Sequence, residues 1–79
     1  MSETRKRVLS ALLIVGAQSS EKAESTPHLA ERLGVDVDSL ENDIVDLQSR
    51  GYVILYTKEG VKKVYLTSTG IVTASSTYS

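Results

Sequence analysis

Along the first fifty positions apolar residues recur at helical spacing, and after Gly51 the pattern changes to β-rich runs. Val8, Leu9, Leu12, Leu13 and Val15 make one broad apolar face and predict a helix from about Glu3 to Val15. Residues 18–25 are polar and predict a loop. Thr26-Pro27 opens a second helix, with Thr26 as the cap and Pro27 at the first helical position, where a missing N–H costs nothing. That helix ends at Leu33-Gly34. A third begins at Asp36 or Asp38; Asp38-Ser39-Leu40-Glu41 has the form of a capping box, and Leu40, Ile44 and Leu47 form the inward stripe. Gly16, Gly34 and Gly51 each follow a helical pattern and serve as stops.

The runs 52–57 and 61–66 flank Lys58-Glu59-Gly60, a hairpin signal in which Gly60 supplies positive φ. Thr67 to Ser79 is rich in Ser and Thr and predicts weak structure, with one turn around Ile71–Ala74. The order is three helices and a hairpin, an α+β pattern without internal repeats.

Residues 29–53 carry the sharper signal. Ala30 lets two helices approach, Gly34 makes the turn, and Leu29, Leu33, Val35 and Leu40 fill the angle between the helices. This stretch resembles a helix-turn-helix. With Gly51-Tyr52-Val53, the hairpin Glu59–Thr67 and the later Gly70, it is similar to the winged helix of MarR/PadR-type regulators over about residues 5–70. The resemblance implies one small winged-helix domain, residues 1–70: three helices followed by a two-stranded wing, with 71–79 as a tail. It also implies a transcriptional regulator binding duplex DNA, with Val37, Asp38, Ser39, Glu41, Asn42 and Val45 facing the groove.

Charge qualifies that expectation. Nine Lys and Arg against ten Asp and Glu give a net −1, resolved as +2 for residues 1–17, −1 for 18–35, −5 for 36–49, +3 for 50–66 and zero beyond. An acidic helix aimed at DNA is repelled by phosphate. The expected phosphate contacts are therefore Lys58, Lys62, Lys63 and Arg50 on or near the wing, with Arg5, Lys6 and Arg7 as an N-terminal arm. Asn42 is the best base-reading candidate, because Asn pairs bidentately with adenine, and Ser39 and Gln48 are weaker ones. A different class of function remains open: a protein-interaction module whose acidic third helix docks onto a basic partner.

The absence of Cys and the single His remove thiolate chemistry and histidine metal clusters, and no nucleophile–base pair or phosphate loop supports an enzyme. No cofactor is expected. Arg5-Lys6-Arg7, the apolar run and Gly16-Ala17 have the outline of a signal peptide, yet cleavage would remove the first helix. The run is also far short of the ~20 residues that span a bilayer. A cytoplasmic, nucleoid-associated protein is the expectation. Finally, the first helix is apolar beyond what one packing face needs, which predicts a homodimer through Leu9, Leu13, Ile14 and Ile71.

Overall fold

The computed structural model describes residues 2–78. In chain order the elements are α1 (Glu3–Val15), a 3-10 turn at Ser20–Lys22, β1 (Glu24–Ser25), α2 (Thr26–Leu33), α3 (Val37–Ser49), β2 (Val53–Lys58), β3 (Val61–Leu66) and α4 (Ser68–Tyr78). The first three long helices and the hairpin lie where the pattern predicts them. Their inward stripes supply the core: Val8, Leu9 and Leu12 from α1, Leu29 from α2, and Leu40, Ile44 and Leu47 from α3 are fully buried. Val53, Val64 and Leu66 close it from the sheet.

The hairpin turns through Glu59-Gly60, both in the left-handed region at φ 53 and 79, so Lys58 pairs directly with Val61. Two consecutive positive φ values match the right-handed twist of the flanking strands, and glycine takes the second without steric cost.

Three local expectations change. The loop before α2 contains a third strand: β1 pairs antiparallel with β3, giving the sheet order β1-β3-β2. Its edge backbone is thus paired rather than solvated. The α2 cap is Ser25 rather than Thr26: its hydroxyl accepts from the His28 N–H, and Thr26 turns inward to full burial. The α3 cap is Asp36, accepting from the Ser39 N–H, so the Asp38–Glu41 capping box does not form. Glu41 is engaged elsewhere.

The largest difference lies at the C-terminal end, where the sequence predicts one turn at Ile71–Ala74 and the chain forms α4 across the boundary at residue 70. Its Ser, Thr and β-branched residues have modest helix propensity, so docking must supply the stability. Thr67 anchors the start. Its hydroxyl donates to the Gly51 carbonyl at 2.6 Å and accepts from the Gly70 N–H at 3.0 Å, while its own N–H donates to the Tyr52 carbonyl. A Cβ on Gly70 would stand 1.8 Å from that Tyr52 oxygen, so only glycine lets α4 press against the α3–β2 junction. Ala74 is fully buried and Ile71 half-buried against the core.

Candidate nucleic-acid interface

The acidic stretch 36–49 decides what α3 can meet, and the structure distributes its five carboxylates over three directions. Asp36 caps the helix and Asp38 is exposed in its first turn, where negative charge complements the helix dipole. Glu41 faces the wing: it accepts from the buried Thr26 hydroxyl at 2.7 Å and from Lys62 Nζ at 3.1 Å. The Thr26 bond, followed by the bond and charge of Lys62, holds the Glu41 carboxyl below the usual glutamate range, against the opposing pull of burial.

Asp43 and Asp46 face α1. Arg5 Nε lies 3.3 Å from Asp43 Oδ1 and Arg5 Nη1 lies 3.3 Å from Asp46 Oδ2, while Arg50 Nε donates to Asp46 Oδ2 at 2.9 Å. Asp43 interrupts the apolar spacing between Leu40 and Leu47 because a guanidinium from another helix meets it there. The Arg5 Nε is buried without a properly aligned hydrogen bond, so this clamp is largely electrostatic.

What remains exposed on α3 is Asp38, Ser39, Asn42, Val45, Gln48 and Ser49, with the Gln48 Oε1 accepting from the Leu55 N–H of β2. Of the six positions that the resemblance aims at the groove, Val37 and Glu41 are therefore corrected: Val37 is half-buried against the core, and Glu41 is tied to the wing. From Ser39 to Ser49 the outward stripe carries no charge.

The expected phosphate contacts separate in the same way. Strand alternation places Lys62 on the core side of the sheet, opposite Thr57, and Lys63 on the outer side, opposite Tyr56. Lys58 shares that outer side with Lys63 and with Tyr56 and Tyr65, whose rings meet edge to face at 6.1 Å. Among the described residues, Lys58 and Lys63 make no ion pair, whereas Lys62 and Arg50 each hold a carboxylate of α3. The N-terminal arm is corrected as well. Arg5, Lys6 and Arg7 belong to α1, where Arg5 is spent on α3 and Arg7 donates to the Leu33 carbonyl at 2.8 Å, beyond the end of α2's own bonding. Among the described residues, Lys6 alone of the three has no side-chain partner.

Four residues are expected at a dimer interface, and one of them is corrected: Leu9 is fully buried in the chain's own core. Leu13 and Ile71 are half-buried, and Ile14 is 64% exposed. Ile14 borders a shallow hollow of about 240 Å³ between α1 and α2, lined by Arg7, Ser10, Ala11, Arg32 and Leu33. Val72 on α4, next to Ile71, is 67% exposed.

The pairing of Thr26 with Glu41 is not visible in the sequence pattern. A second hydroxyl beside Ser25 is the available signal, since only one of the pair can cap α2. Among the described residues no helix is long and apolar enough to cross a membrane.

No protein-family model matches the sequence, and no curated protein is significantly similar to it. Solved structures are similar in fold. A candidate DNA-binding protein from Ralstonia eutropha superposes with a TM-score of 0.86 at 21% identity, covering 100% of this chain and 99% of the other. The Staphylococcus aureus MepR–DNA complex gives 0.80 at 16% identity, covering 96% of this chain and 60% of MepR. MarR from Escherichia coli gives 0.81 at 20% identity over 99% of this chain and 53% of MarR. The fold is a MarR-type winged helix, and the chain spans little more than half the length of those two regulators.

Proposed function

We propose that this chain is a small winged-helix transcriptional regulator that binds duplex DNA as a homodimer, with α3 in the major groove and Lys58 and Lys63 of the wing on phosphates. One observation supports it above the rest. The charge that would repel α3 from DNA is largely turned aside, with Glu41, Asp43 and Asp46 bonded to Lys62, Arg5 and Arg50, while the neutral stripe Ser39, Asn42, Val45 and Ser49 faces out. The same arrangement consumes most of the acidic surface that a basic protein partner would need. The fold is shared with MepR, which has been solved bound to DNA, and this supports the same partner here. A regulator of this kind acts in the cytoplasm, associated with the nucleoid. Exposed Ile14, together with half-buried Leu13 and Ile71, supplies the apolar surface for pairing.

A mobility-shift titration against salt tests the DNA reading. Binding should weaken as salt rises, and Lys58→Ala with Lys63→Ala should flatten the slope of log K against log salt by about 0.9 for each phosphate that is no longer neutralised. Asp38→Asn should leave affinity unchanged or raise it. Failure to retard any duplex at low salt overturns the proposal. Sedimentation equilibrium showing only monomer at tens of micromolar, with Ile14→Glu indistinguishable from the unaltered chain, overturns the homodimer.

A further inference from the structure

Val45 is the unexplained residue of the outward stripe. It is a β-branched apolar side chain, 53% exposed, in the middle of an exposed helix face. A valine there gives up helix propensity relative to Ala, Lys or Glu and gains little burial in return. Single exposed apolar residues are common and usually need no account. This one sits one turn beyond Asn42 on the same face, between Asn42 and Ser49 of the exposed neutral stripe. Side chains three apart on a helix have Cβ atoms about 5–6 Å from each other. Successive base pairs rise by about 3.4 Å, so two such side chains in a major groove lie over bases one or two steps apart.

We infer that Val45 is a specificity-determining residue that packs its methyls against the 5-methyl group of a thymine, beside a base pair whose adenine is held by Asn42. The chemistry of each group selects its target. An apolar branched side chain without a donor or acceptor gains nothing from the polar edges of guanine or cytosine, whereas thymine alone presents a methyl in that groove. The carboxamide of Asn42 matches the N6 donor and N7 acceptor of adenine. Together they make α3 a reader of A·T pairs, with Val45 acting through shape and apolar contact. This inference rests on the proposed entry of α3 into the groove.

The test uses duplexes recovered from a random-sequence pool by the intact chain. Each thymine of a recovered site is replaced in turn by deoxyuridine, which removes only the 5-methyl group, and Kd is read by fluorescence anisotropy. At one position per half-site the substitution should weaken binding about fourfold, the equivalent of one buried methyl group. Val45→Ser, at an exposed position and with an unchanged melting temperature as control, should bind the thymine and deoxyuridine duplexes equally. If deoxyuridine is tolerated at every position while the chain still binds its sites, the methyl contact is wrong and groove entry stands. If sensitivity to deoxyuridine survives in Val45→Ser, another residue reads the methyl and the assignment to Val45 is wrong. If no duplex is recovered, groove entry fails and this inference fails with it.

Discussion

The two flanks of α3 hold their carboxylates by different means. On the wing side, Glu41 meets a fully buried hydroxyl, Thr26, and a half-open cation, Lys62. On the α1 side, Asp43 and Asp46 meet Arg5 and Arg50 with side chains 24–57% exposed and no buried neutral partner. The first arrangement is a hydrogen bond that the fold cannot easily replace, because Thr26 has no water to turn to. The second is a set of partly solvated ion pairs, individually worth little to stability. Both neutralise acid beside the outward stripe, so one flank should matter chiefly for folding and the other chiefly for what approaches α3.

The sharpest way to break this contrast is Glu41→Ala. It leaves the Thr26 hydroxyl buried and unsatisfied and should cost about 1–3 kcal/mol in urea-induced unfolding. Glu41→Gln keeps an oxygen for Thr26 and should recover most of that loss. A cost for Glu41→Ala within experimental error of zero would remove the distinction between the flanks.

Acid provides an independent probe of the same bond. Glu41 is held below its ordinary value, so the folded state binds the proton more weakly than the unfolded chain does. Its contribution is present in full above the unfolded value, near 4.3. It is lost as pH falls through the lower folded value. Urea midpoints of Glu41→Gln should therefore fall less steeply than those of the unaltered chain in that acid range, with no difference in slope near neutrality.

On the other flank, Arg5→Met should cost less than about 1 kcal/mol, since the pairs it breaks are partly solvated. It should still weaken DNA binding at low salt, because two carboxylates next to the outward stripe lose a shared cation. Coupled losses of stability and affinity of similar size would mean that the two flanks do the same job. The smallest effect is expected for Arg50→Ala. This removes an i,i+4 pair at the end of α3 and should shift stability by no more than about 0.5 kcal/mol.

Much of this site is legible in the sequence. The helical stripes, the Glu59-Gly60 turn and the Ala30–Gly34 junction are local signals, and the folded chain keeps each of them. Strand alternation alone separates Lys62 from Lys63 once the hairpin register is known. Asp43 is visible in the sequence as a charge set between Leu40 and Leu47. Its partner is not legible, because Arg5 and Asp43 are far apart in sequence and meet only when α1 crosses α3. The α4 helix is hidden for a related reason. Its residues have weak intrinsic preference, and the close approach of the Tyr52 carbonyl that requires glycine at position 70 exists only in the folded chain.

By itself the sequence determined the first three helices, their inward stripes, the hairpin and the uneven distribution of charge, since these depend on periodicity and composition within short windows, whereas β1 and α4 formed only through pairing and docking. Tertiary structure alone decided which charges remain available. Ion pairing depends on distances between elements, and folding brings Arg5, Arg50 and Lys62 to the carboxylates of α3 while leaving Lys58 and Lys63 free of ion pairs among the described residues. A helix carrying five acids thereby presents, over most of its outward length, a neutral surface of Ser39, Asn42, Val45 and Ser49.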